Sequence, residues 1–175
     1  MASIENQLKE DIVAACKRTS GFLCEYFKVN IAVGLAQLEE LEAERDDKDF
    51  FEWDWVGEDA PLSETNFVLK LTFNEKILAF CSANFNDDNI IVDAVERLKR
   101  KHNNRVKAPA MLCLVEACRE IGLVLGKKNL TVECAVASTG SIAKKQGYEI
   151  VKMGDYTKFP LWPVQQPFKW PALQR

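Results

Sequence analysis

The sequence predicts an α+β fold, a mixed and mostly antiparallel sheet flanked by helices. Three observations point there: apolar residues at helical spacing through the N-terminal part, alternation with a period of two through the middle, and a long apolar helical stripe set between strand-like runs. At 175 residues the chain is the size of a single core-forming unit. Residues 1–175 therefore read as one domain: 1–48 a helical N-terminal part, 49–158 the sheet and its core, and 159–175 an extended tail containing proline and tryptophan.

In chain order, Ile4, Leu8, Ile12 and Cys16 recur at helical spacing, and Ser20-Gly21 supplies a break before Phe22, Leu23 and Tyr26, giving one or two amphipathic helices. Ile31, Leu35, Leu38 and Leu41 continue a helical stripe that ends at Asp46-Asp47, with Glu39, Glu40, Glu42 and Glu44 on a solvated face. Phe51, Trp53 and Trp55 alternate with Glu52 and Asp54 as in a strand. Phe67, Leu69, Leu71 and Phe73 repeat that alternation, and the turn at Asn74-Glu75-Lys76 makes a hairpin with 77–85. The run Asn86-Asp87-Asp88-Asn89 is another turn and leads into Ile90-Ile91-Val92, a third antiparallel strand.

From Asp93 the signals conflict. The residues 93–101 favour helix, whereas the preceding strand and turn favour a strand that continues. Met111, Leu114, Val115, Cys118, Ile121 and Leu125 then form the clearest helical stripe, closed at Gly126. Leu130–Val136 reads as a buried strand, 138–145 as a short helix, and Tyr148–Val151 as a further strand. In the tail, Trp162 and Trp170 are aromatic anchors, either for a partner or for covering a sheet edge.

Composition narrows the function classes. A net charge of -3 provides no field to attract a phosphate backbone, so nucleic acid is a poor partner. No apolar run reaches the ~18–20 residues of a bilayer span, and the mixed-charge N-terminus does not resemble a signal peptide, so a cytoplasmic protein with no membrane role is expected. The six cysteines fall mostly within apolar periodic segments and form no CxxC pair, and His102 is the only histidine. They read as core thiols, with no metal site.

The succession of antiparallel strands, a basic loop, a long helix, a buried strand, a short helix and Gly147-Tyr148 resembles the GNAT-type N-acetyltransferases over about half the chain. Between the fourth strand and the long helix, that superfamily carries Gln or Arg, two residues, Gly, one residue, then Gly or Ala. Here Arg105-Val106-Lys107-Ala108-Pro109-Ala110 stands in that place. Backbone N–H groups at a helix N-terminus, backed by the helix dipole, suit a pyrophosphate. The resemblance implies acetyl-CoA as co-substrate, with Arg105, Val106, Lys107, Ala108, Ala110 and Met111 as its binding residues. Alanines replace the family's glycines, and Pro109 removes one donor unless it is simply a first-turn helix proline.

The stretch from Ser138 to Tyr148 resembles the family's short helix ending in Gly and an aromatic residue. The tyrosine that usually acts as general acid has its counterpart at Ala143, leaving Ser138, Tyr148 or Tyr156 as replacements. If the fourth strand continues, Ile90, Val92, Ala94, Glu96 and Leu98 share a face, and Glu96 is a carboxylate among apolar neighbours able to take a proton from an amine. If the segment is helical, Glu96 pairs with Arg100 on the surface. The catalytic candidates are Glu96, Ser138 and Tyr148.

The functional expectation is acetyl transfer from acetyl-CoA to an amine of a small molecule or protein. The alternatives are a GNAT-like protein that binds a ligand or protein without acetylating, and an unrelated α+β interaction module. The tail suits either a homodimer that exchanges C-termini or a chain folded back on its own sheet.

Overall fold

The computed structural model describes residues 3–45, 62–98, 109–132, 146–152 and 158–170. Helix α1 spans Ile4–Phe27. Ser3 caps it by accepting the Asn6 N–H at 3.2 Å, and Lys28, in the left-handed region, closes it with its N–H on Cys24 O. The expected break at Ser20-Gly21 does not occur. The Ser20 hydroxyl bonds back to Cys16 O at 2.8 Å and accepts the Val33 N–H at 2.9 Å, so this polar residue fastens the helix to the next strand.

That strand corrects the helical reading of 31–41. Ile31–Leu35 is β1, where Ile31 and Val33 are buried with a period of two, and only Leu38–Arg45 is helical, as α2. The remaining elements are β2 (Asn66–Phe73), β3 (Lys76–Phe85), β4 (Asn89–Arg97), α3 (Ala110–Val124), β5 (Asn129–Val132), β6 (Glu149–Lys152) and β7 (Lys158–Pro163). The β2–β3 hairpin turns through Asn74 and Glu75, both at positive φ.

The described residues form a seven-stranded sheet in the order β1-β2-β3-β4-β5-β7-β6. Every neighbouring pair is antiparallel except β4–β5, which α3 connects as a parallel crossover. This is the mixed, mostly antiparallel architecture that the sequence predicts. The tail folds back within the chain, with β7 inserted between β5 and β6.

The sheet has two unequal faces. On one, α1 and α3 lie over Ile31, Val33, Leu69, Leu71, Cys81, Ile90, Val92 and Leu130 in the main core. Cys16, Cys81, Cys113 and Cys118 are buried here as free thiols, and burial pushes those of Cys16 and Cys113 up to about 12. On the other face a smaller cluster of Ala36, Leu41, Val68, Phe80 and Leu98 seats α2. There Lys70 Nζ lies 2.8 Å from both carboxylate oxygens of Glu40, so this member of the acidic run is paired rather than merely solvated.

Residues 93–97 are strand, which overturns the helical alternative there, while residues 99–101 of the same segment lie outside the described residues. The continuation is not regular. Ala83 pairs with Val92 and Ser82 with Ala94, so Asp93 is an extra residue, a β-bulge. The expectation that Ile90, Val92, Ala94, Glu96 and Leu98 share one face is therefore wrong, because the bulge exchanges the faces. Ile90 and Val92 join the main core, whereas Ala94 and Leu98 join the small cluster.

Candidate active site

Past the bulge, Glu96 stands opposite Phe80 on β3, on the α2 face and flanked along β4 by Ala94 and Leu98. It is partly exposed. Asp93 accepts from Asn84 Nδ2 at 2.8 Å on both carboxylate oxygens, which holds the bulge in place. Among the described residues the parallel β4–β5 pairing stops at Val92–Val132, while β4 runs on to Arg97 paired with β3 alone.

After β4 the chain returns at Pro109, the N-cap of α3 and an exposed residue, rather than a first-turn proline. Proline has no side-chain acceptor, so no side chain at this position caps the helix, and its first turn carries no acidic residue. Pro109 O accepts the Cys113 N–H at 3.1 Å, starting the helical ladder. Ala110 is buried and Met111 half-buried, so the first turn presents small or flexible side chains at the positive end of a 15-residue helix.

Tyr148 is elsewhere. It follows Gly147, at φ 75°, and its ring packs 4.8 Å from Trp162 and 6.0 Å from Phe168 in the main core, on the α1/α3 face. Burial, with Glu116 nearby, raises its phenol well above the ordinary tyrosine value. Among the described residues its hydroxyl is buried without a hydrogen-bond partner. The structure brings Glu96 into line with the end of β4 but does not bring Tyr148 to it, because the sheet lies between them. Arg105, Val106, Lys107, Ala108, Ser138, Ala143 and Tyr156 lie outside the described residues, as do the 51–55 strand and Cys134.

Two residues that the sequence reading passed over dominate the polar chemistry of the core. Arg119 forms a bidentate pair with Glu116, Nε to Oε2 and Nη2 to Oε1 each at 3.0 Å, donates to Glu120 at 2.9 Å, and reaches Val164 O at 2.7 Å through Nη1. Both Glu116 and Arg119 are buried. Burial raises Glu116 against the opposing pull of Arg119. The signal was available: α3 is apolar around most of its circumference, so a Glu and an Arg three apart in it lack a solvent face.

No family model matches the chain, and no curated protein sequence does. Solved structures do. The ribosomal-protein-S18-alanine N-acetyltransferase from Escherichia coli superposes at a TM-score of 0.52 with 14% identity, covering 77% of this chain and 94% of that one. The PaiA N-acetyltransferase from Thermoplasma acidophilum, in complex with coenzyme A, gives 0.53 with 12% identity over 76% and 98%. The GNAT domain of S. lividans PAT gives 0.51 with 13% identity over 76% and 90%. The chain has the GNAT fold, as the motifs at 105–110 and 138–148 led one to expect. Among the described residues no helix is long and apolar enough to cross a membrane.

Proposed function

We propose that the chain binds an acyl-CoA at the N-terminus of α3 and transfers its acetyl group to an amine presented on the Glu96 side of β4. The observation that carries this reading is the start of α3: a 15-residue helix whose N-cap residue, Pro109, has no side-chain acceptor and whose first turn has no acid, preceded in sequence by a basic segment that follows the part of β4 which, among the described residues, extends beyond its pairing with β5. A phosphate complements such an end, and one protein of the same fold has been solved with coenzyme A. The backbone amides of Ala110 and Met111, with Arg105 and Lys107 before them, would hold the pyrophosphate, and Val106 and Ala108 would line the approach. Acetyl-CoA supplies an activated thioester. The chain's own work is orientation, together with removal of the ammonium proton by Glu96 before nitrogen attacks. Ser138 is the candidate to protonate the departing thiolate.

Thermal unfolding with and without acetyl-CoA tests the binding step, since a ligand of the folded state alone raises the midpoint. No shift at about a hundredfold excess over a micromolar affinity removes the proposal. Release of free thiol across a panel of amines tests the chemistry. Glu96→Gln should lower turnover by about 10²–10⁴-fold while leaving the coenzyme-induced shift intact.

A second reading is a GNAT-like binding module without transferase activity. The specific observation in its favour is Pro109 at the N-cap, which withdraws an N–H from the cradle while Ala108 and Ala110 stand in place of glycines. Coenzyme binding without amine-dependent thiol release selects it.

A further inference from the structure

We propose that Ser82 and Asn84 set the specificity of the acceptor site by holding the second ammonium of a short aliphatic diamine whose first nitrogen meets Glu96. Its acetylation rests on the acyl-transfer reading; its binding does not.

Strand pairing fixes what faces what on the α2 side of the sheet. Ser82 stands between Val68 on β2 and Ala94 on β4, both members of the small cluster, so its side chain shares their face. The next row along holds Lys70, Phe80 and Glu96, and on the other side Asn84 is paired with Ile91. The small side chains of Ser82 and Ala94 therefore lie between two rows of larger ones. Depth increases toward β3: Glu96, Ala94 and Asn84 are partly exposed, whereas Ser82 is only 2% exposed. The hollow opens at β4 and is floored by a hydroxyl.

That hydroxyl makes no hydrogen bond to a described residue. A serine so enclosed normally has its partner within the protein, and one that lacks it marks a place for a ligand. Asn84 adds an acceptor beside it. A carboxylate can only accept, so the 2.8 Å contacts of Asn84 with both oxygens of Asp93 belong to Nδ2 and leave Oδ1 turned away from Asp93. Ser82 Oγ, Asn84 Oδ1 and the Glu96 carboxylate are thus three acceptors around the Ala94 methyl, with the charge of Asp93 behind the second. Such a lining suits a ligand made of donors. It offers an incoming carboxylate only the Ser82 hydroxyl, and a simple alkylamine would leave Ser82 and Asn84 unmatched.

Spacing selects the length. Glu96 and Ser82 are diagonal neighbours on adjacent strands, about 7–8 Å apart, which a three- or four-carbon chain with a hydrogen bond at each end spans. Beyond Ser82 the row is closed by Val68, buried in the cluster that seats α2.

Calorimetric titration of the full chain with 1,4-diaminobutane and with n-butylamine tests the binding without coenzyme. The diamine should bind at least about tenfold more tightly, and Ser82→Ala should remove most of that advantage while leaving n-butylamine unchanged. Assays with acetyl-CoA test the role in turnover: Ser82→Ala should raise KM for the diamine about tenfold with kcat within about twofold, and alter neither constant for n-butylamine. A variant that merely loosened the sheet would move both amines together, which overturns the proposal. Equal affinity of the wild type for the two amines also overturns it, whatever the variant does. Selective diamine binding without release of free thiol removes the acyl-transfer reading and leaves the diamine site standing, whereas acetylation of n-butylamine as efficient as that of the diamine does the reverse.

Discussion

The two faces of the sheet treat charge differently. On the α1/α3 face, Glu116 and Arg119 are almost fully enclosed, and their polar atoms are met by one another, by Glu120 and by the Val164 carbonyl. On the α2 face, Lys70, Glu40, Asn84, Asp93 and Glu96 are partly open to solvent around a cluster that, among the described residues, has five buried apolar side chains. The first arrangement is structural, because a buried ion left alone is costly. The second leaves carboxylates at a surface that a substrate can reach, and the extra residue at Asp93 is what moves Glu96 onto it.

The sharpest way to break this contrast is Arg119→Met. The variant leaves Glu116 enclosed without its cation, and the expected loss is about 3–5 kcal/mol at neutral pH. The loss should depend on pH. Burial already raises Glu116 in the folded state, so its contribution to stability is fullest at low pH, below the unfolded value, and fades as pH rises through the folded one. Removing the guanidinium raises the folded value further. Urea titrations should thus show a smaller penalty near about pH 5 than near about pH 8; a penalty independent of pH would mean that water reaches Glu116.

Gly122→Val probes the same face through volume. Its side chain must enter where Val164 Cγ1 and Ile90 Cγ1 would stand 2.9 and 3.2 Å from the new Cβ, and overpacking of this kind costs about 1–3 kcal/mol. Thermal unfolding checks it. A neutral outcome would show that the segment beyond Pro163 moves aside freely.

These effects bear on what could be read from the sequence. The α3 stripe, the β2–β3 hairpin and the Gly147-Tyr148 turn were legible, since each rests on local periodicity or a turn residue. Residues 31–35 were not, because Ile31, Leu35, Leu38 and Leu41 fit a helical period across what is a strand, a short link and a helix; only pairing with Leu69, Leu71 and Phe73 decides it. The face of Glu96 was illegible for a related reason. A bulge is defined by the partner strand, and nothing in Ile90–Leu98 marks Asp93 as the extra residue. Tyr148 was a candidate as one of three hydroxyls, with Ser138 and Tyr156, that could replace the acid missing at Ala143, whereas the ring's place against Trp162 and Phe168 depends on the tail folding back.

Tyr148→Phe follows from that placement. Its hydroxyl is buried with no partner among the described residues, so deleting it removes a desolvation penalty of about 1–3 kcal/mol and keeps the ring contacts. The expected result is a midpoint unchanged or slightly raised, with amine acetylation unaffected. A large loss of turnover at unchanged stability would return Tyr148 to the chemistry and require the sheet to be open between it and Glu96.

Lys70→Met gives the smallest effect and closes the contrast. Lys70 and Glu40 are each about a quarter exposed, so solvent screens their 2.8 Å contact, and the pair should contribute less than about 1 kcal/mol. Glu40 has a second task, since its Oε1 accepts the Gln37 N–H at 2.8 Å at the start of α2. Glu40→Ala should therefore cost more than Lys70→Met, and a double-mutant cycle should leave a coupling of only about 0.2–1 kcal/mol. If instead Lys70→Met matched Arg119→Met, the α2 face would be as closed to water as the core, and Glu96 would lose the solvent access that an incoming amine requires.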